Sequence, residues 1–260
     1  MATAQGELLV NRMHMPCTLD GGVAERAAIG LIVLATDHTI EHEWRQLLHG
    51  LDGVAFFESR IMNSADINPE TLAAMEADMT ACTDVIRPGE RIDVVAYGCT
   101  SGGMVIGPPR VEELIHAARP EAKATTPILA VLEGLRALGV RRVALLTPYI
   151  DEVNRWMRGY VEDAGIAVPV MGSFNEGNDN LVARISPASL EDAIVELGSS
   201  DEVDGVFVAC TSLRVCGIVE RAEERLGKPV TSSNHALAWH ALRLAGVDDR
   251  LEGWGRLFRI

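Results

Sequence analysis

Asp93-Val-Val-Ala-Tyr-Gly-Cys99-Thr100-Ser101 returns later in the chain as Asp204-Gly-Val-Phe-Val-Ala-Cys210-Thr211-Ser212. From 99 to 210 the offset is 111 residues. Each copy is a short apolar run that ends in a small residue and then Cys-Thr-Ser. Runs without polar alternation read as strands buried on both faces, as in parallel sheets. Two copies of one such strand point to a duplicated α/β unit.

The repeat continues on both sides of this stretch. Ala28-Ile-Gly-Leu-Ile-Val-Leu-Ala-Thr36 matches Arg141-Arg-Val-Ala-Leu-Leu-Thr147, each a strand ending in Thr, again 111 residues apart. A polar helix start follows each: Thr39-Ile-Glu-His-Glu-Trp44 and Asp151-Glu-Val-Asn-Arg-Trp156. Thr125-Thr126 precedes a helix that ends at Gly139, and Ser232-Ser233 precedes one that ends at Gly246. Glycine suits a helix C-terminus because it accepts a positive φ. Asn68 with Pro69 opens a helix expected to run to about Ile86, and Leu213–Leu226 reads as another.

The expected fold is α/β, with two pseudo-symmetric lobes from an internal duplication. Each lobe is a small parallel sheet flanked by helices, with the active site between them. Residues 1–26 read as an N-terminal arm. Lobe 1 comprises 27–126 with about 232–260, and lobe 2 comprises 127–231. In open α/β sheets, sites lie beyond the carboxyl ends of the strands. Thr36, Cys99, Thr126, Thr147, Cys210 and Ser233 all fall at such ends, so facing lobes would set one cysteine on either side of a cleft.

Bulk properties narrow the function. The 260 residues carry a formal net charge of −14 and no basic stripe, which argues against nucleic acid as a partner. Leu8-Leu9-Val10 is too short for a secretory h-region, and no apolar run approaches a membrane span. Five cysteines at irregular spacing argue against a disulfide framework and for a reducing, cytoplasmic setting. His38 and His42 share a helical face but lack a third ligand, so no metal is expected. No nucleotide-binding glycine loop is present, and no organic cofactor is expected. A homo-oligomer is compatible with all of this.

Cys99 and Cys210 are the expected catalytic pair. A thiol near a helix N-terminus can be tuned towards neutrality. Thr100, Ser101, Thr211 and Ser212 offer hydroxyl and backbone donors to a substrate carboxylate and to an enediolate formed beside it. A thiolate on one face and a thiol on the other permit inversion at a carbon; a thiolate can also add to an activated double bond. Thr36 and Asp37 end the first strand. Tyr149 follows the Thr147-Pro148 turn and can offer its hydroxyl to the substrate.

These residues resemble the aspartate/glutamate racemase superfamily, in the branch that contains maleate cis-trans isomerase and arylmalonate decarboxylase. The likeness is strongest from Val131 to Asn154, and Gly30-Leu-Ile-Val33 and Gly255-Arg-Leu-Phe258 also fit. The subgroup it most resembles is the racemase-like protein of ectoine utilisation, which implies a role in ectoine breakdown. By that resemblance Cys99 and Cys210 match the paired catalytic cysteines, Tyr149 a substrate-binding tyrosine, and Asn180 a substrate-binding asparagine of the isomerase. The decarboxylase has glycine at the position of Cys99. Asp37 stands where the isomerase has asparagine, a change that suits a substrate with an amino or amide group. The resemblance therefore implies a cofactor-independent isomerase or racemase that acts next to the carboxylate of a small acid. A decarboxylase of a malonate-type acid that uses Cys210 as proton donor is the alternative, and a non-catalytic binding module a third.

Overall fold

A computed structural model describes residues 9–260; the first eight residues of the expected arm lie outside the described residues. Among the described residues no strand or helix precedes Ala27. The first sheet unit runs β1 (Ala27–Leu34), α1 (Ile40–Leu47), β2 (Val54–Ile61), α2 (Pro69–Ala74), α3 (Glu76–Asp84), β3 (Val94–Gly98), α4 (Thr100–Ile106), α5 (Pro108–Ala118) and β4 (Lys123–Thr125). After α6 (Pro127–Ala137) the second runs β5 (Arg142–Thr147), α7 (Asp151–Asp163), β6 (Ala167–Ser173), α8 (Asp179–Val182), α9 (Pro187–Gly198), β7 (Gly205–Val208), α10 (Val219–Leu226) and β8 (Val230–Ser232), and α11 (Ser233–Leu244) follows it.

Both sheets are wholly parallel, with orders β2-β1-β3-β4 and β6-β5-β7-β8. The orders coincide when each strand of the first is advanced by four, so the duplication read from Cys-Thr-Ser extends to the topology. The central strands β1, β3 and β7 are buried at every residue, which explains their lack of polar alternation. The edge strands β2 and β6 alternate toward solvent.

Helices α6 and α11 pack against each other between the sheets. Their starts are side-chain capped: Thr126 Oγ1 accepts from Leu129 N, with Pro127 in the first turn, and Ser232 Oγ accepts from His235 N. Gly139 and Gly246 close them at φ 73° and 78°. One apolar core runs from the inner face of the first sheet through these helices into the second sheet; another lies between the first sheet, α3 and α5.

Two expected helices differ. The 68–86 segment breaks at Met75 into α2 and α3; Asn68 caps the first with a reciprocal Thr71 contact, but Met75 offers no cap to the second. In the 213–226 segment, residues 213–215 stay outside any helix, Cys216–Ile218 form a 3-10 turn, and α10 starts only at Val219. The cause lies at Glu43 on α1, which accepts from Cys216 N at 2.7 Å and so takes up a donor a longer helix would have used. No described helix is long and apolar enough to cross a membrane.

Candidate active site

Cys99 ends β3 and caps α4, with Sγ accepting from Gly102 N at 3.2 Å. Position 102 must be glycine: a Cβ there would sit 2.6 Å from Tyr97 Oη and 2.9 Å from Cys99 Sγ. The second cysteine is held differently. Cys210 follows β7 and enters a turn, not a helix, with φ at +106°. Its N–H donates to Ser233 Oγ at 3.0 Å, and the same oxygen accepts from Thr100 Oγ1 at 2.8 Å. Thr211 Oγ1 donates back to the Gly98 carbonyl at 3.3 Å. Ser233 at the start of α11 thus joins the two Cys-Thr-Ser segments directly.

Both thiols open into one small cavity. Cys99, Thr100, Ser101, Tyr149, Cys210 and Thr211 line it together. Tyr149 is buried, and its backbone carbonyl accepts from Asn154 Nδ2 at 2.7 Å and Ser173 Oγ at 2.6 Å, which fixes the turn after β5. The apolar wall comes from the first sheet unit: Leu34, Ile67, Leu72 and Met75. Two symmetry-related loops meet over the site, where Asp66 bridges to Asn178 and Ile67 N donates to the Gly177 carbonyl at 3.3 Å.

The remaining expected residues stand behind or beside this lining. Ser212 donates to Asp179 Oδ1, and Thr36 donates to Asp179 Oδ2, both at 2.6 Å. Asp37 is buried; its Oδ1 accepts from Thr39 N and Ile40 N at the start of α1, while its Oδ2 has no partner. Asn180 is exposed, with its backbone N–H on Asn178 Oδ1. The side chain that α8 turns into the cavity is its neighbour Asp179. Asn178 caps α8, and this cap sets which residue faces inward; the Asn-Asp-Asn sequence alone does not separate the three. Ser233, read only as a strand-end landmark, emerges as the bridge between the thiol segments.

Electrostatics depart from the expectation of neutral-range thiols. Burial pushes Cys99 up to about 11, against the opposing Gly102 N–H and with Asp179 adding to the rise. Burial also pushes Cys210 well above its ordinary value, with Asp179 next in effect. Tyr149 is raised by burial and by its closeness to Cys210 and Cys99. Burial pushes Asp37 up to about 6 despite two backbone donors. Both shifts favour the protonated thiol at neutral pH. Among the described residues no cluster of three or more His, Cys, Asp or Glu could hold a metal ion.

The positive φ of Cys210 stores strain of about 1–3 kcal/mol, as is common where a reactive group is held in place. Glycine would release it; alanine would keep the Cβ that causes it. Cys210→Gly is expected to be more stable than Cys210→Ala by about 1 kcal/mol. Urea denaturation of the two variants checks this, and equal midpoints would contradict it.

A doubled parallel sheet with one strand-end thiol from each half on a shared cavity defines a two-lobed α/β architecture with a single candidate site. The chain belongs to the arylmalonate decarboxylase family, whose model matches residues 29–258. It is 32% identical to the maleate isomerase of Nocardia farcinica over 240 residues, 89% of this chain and 95% of that one. It is 40% identical to the arylmalonate decarboxylase of Bordetella bronchiseptica over 136 residues, 52% of this chain and 57% of that enzyme's length. A solved structure of the Nocardia farcinica maleate cis-trans isomerase, a cysteine-to-serine variant with a covalently bound succinylcysteine intermediate, superposes with a TM-score of 0.81 at 29% identity, covering 90% of this chain and 98% of that one.

Proposed function

We propose that this chain is an isomerase or racemase that acts at the carbon next to the carboxylate of a small acid or amino-acid derivative, with Cys99 and Cys210 as its working groups and no cofactor. The supporting observation is that both thiols line one cavity with Tyr149 near both. The Ser101 hydroxyl and the backbone N–H groups of Thr100 and Ser101 at the start of α4 supply neutral donors for the substrate carboxylate. Such donors steady the extra charge of an enediolate without a cation. Because both thiols rest protonated, one first releases its proton to solvent water as substrate enters the cavity. That thiolate then either removes a proton from the reacting carbon while the opposite thiol delivers one to the other face, or adds to an activated double bond, which rotates and then eliminates the same thiolate.

A second reading, decarboxylation with Cys210 as sole proton donor, draws on the 40% identity to the Bordetella enzyme. It leaves Cys99 without a part. Ectoine-derived amino acids head the substrates to try, on the strength of the family resemblance. Incubation with a panel of small acids in deuterium oxide distinguishes the readings. The isomerase reading expects deuterium at the carbon beside the carboxylate, or cis-trans conversion, without release of carbon dioxide. Carbon dioxide from a malonate-type acid, with no exchange elsewhere, would support the decarboxylase instead.

A further inference from the structure

Both oxygens of Asp179 act as acceptors. Ser212 Oγ donates to one and Thr36 Oγ1 to the other. Thr36 Oγ1 itself accepts from Asn63 Nδ2 at 2.7 Å. The negative charge of Asp179 bears on both thiols and adds to the rise of Cys99 and Cys210. Asp179 is 4% exposed, and among the described residues no Lys, Arg or His nitrogen pairs with it. The cavity it faces also contains Asp66 and has no basic side chain in its lining. Asp37, close enough to feel the charge of Asp179, keeps a second buried carboxylate oxygen without any partner. A buried anion without a counter-charge is unfavourable, and Asp179 stands beside the reacting thiols.

We infer that Asp179 is the specificity-determining residue that takes a protonated nitrogen of the substrate, so the preferred substrates are zwitterionic amino acids or their derivatives. The inference rests on the reading of this cavity as the active site. The substrate carboxylate goes to the Ser101 hydroxyl and the backbone N–H groups of Thr100 and Ser101, and the ammonium to Asp179, with the carbon between them presented to the thiols. A nitrogen-free dicarboxylate would place a second anion against Asp179 and is disfavoured.

The test is protection of Cys99 and Cys210 from iodoacetamide by acids that differ in one ammonium group. The pairs are alanine and propionate, aspartate and succinate, glutamate and glutarate, with both enantiomers of each amino acid. Peptide mass spectrometry reads the two cavity cysteines apart from the exposed Cys17. At least one amino acid is expected to protect at a concentration ~10-fold or more below its nitrogen-free match. Asp179→Asn is expected to abolish or reverse that preference; a merely structural Asp179 would leave it in place. Protection by none of the amino acids, equal or better protection by every nitrogen-free match, or an Asn variant that keeps the preference overturns the inference. If the variant does not fold, the wild-type pairs still decide. Deuterium exchange on the same mixtures reports separately on the isomerase reading. A preference for ammonium without exchange removes that reading and leaves this inference standing, while exchange in nitrogen-free acids alone does the opposite.

Discussion

Cys99→Ala and Cys210→Ala are each expected to lower turnover by at least ~10²-fold, within the range that positioned acid–base groups supply. Proton removal on one face and delivery on the other require two groups, and the cavity lining contains two thiols and no histidine. Each variant keeps one thiol in place: Cys99 is held by Gly102 N, and Cys210 by the Ser233 bridge. The surviving thiol can still remove and return a proton on its own face. Each single variant is therefore expected to wash deuterium into one enantiomer while it fails to interconvert the pair. NMR of substrate recovered from deuterium oxide measures both quantities. Full activity in Cys99→Ala, together with carbon dioxide release, would sink the two-thiol scheme. The high resting pKa of Cys99, about 11, adds a further expectation: turnover rises with pH above neutrality until substrate binding, not thiol ionisation, limits it.

The substrate question also turns on magnitudes. Two like charges about 5 Å apart interact by roughly 3 kcal/mol at an effective dielectric of ~20. A dicarboxylate brought against Asp179 would meet a penalty of that order, larger than one good neutral hydrogen bond returns. An ammonium in the same place turns the term favourable. The resemblance drew attention to Asp37 for the same chemical reason, but that side chain is committed to the α1 start and lies outside the cavity lining.

Much of this was legible in the chain because duplication leaves two independent copies of one signal. Cys-Thr-Ser at the ends of two fully buried strands located the sheets, the cleft and both thiols, and the caps at Thr126 and Ser232 follow from local chemistry that recurs in any α/β protein. Local pattern fails where a distant residue decides. Glu43 ends the helical reading of 213–218 from across the molecule. The facing of Asp179 rather than Asn180 depends on one cap residue and on Thr36 and Ser212, far away in sequence. The thiols' protonation depends on total burial, which no strand-end motif encodes.

Glu43→Ala is expected to destabilise the fold by about 3 kcal/mol at pH 6, because it leaves buried donors without partners and opens a cavity. The Glu43 carboxylate accepts from Cys216 N at 2.7 Å, Asn234 Nδ2 at 2.8 Å and Cys216 Sγ at 3.2 Å. Asn234 Nδ2 also donates to the Thr211 carbonyl at 2.7 Å, so the loss would loosen the loop that carries Cys210. A fall in melting temperature of roughly 6–10 °C is the measurable form for a chain of this size. Glu43→Gln separates charge from shape. Burial, set against these three donors, pushes the Glu43 carboxyl up from 4.5 to about 7. The folded state then holds a proton that the unfolded state has already released, so this contribution to stability is greatest below pH 4.5 and is lost as pH rises through 7. The loss amounts to about 3 kcal/mol, from 1.36 kcal/mol per unit. Asp37, pushed up to about 6, runs the same way. His235, which burial pushes down to about 4, runs the opposite way between pH 4 and 6.5. Both cancel when variant is compared with parent. Thermal melts of Glu43→Gln and the parent from pH 5 to 8 should therefore show the difference moving steadily in the variant's favour, and a difference that stays flat would mean that Glu43 remains ionised throughout.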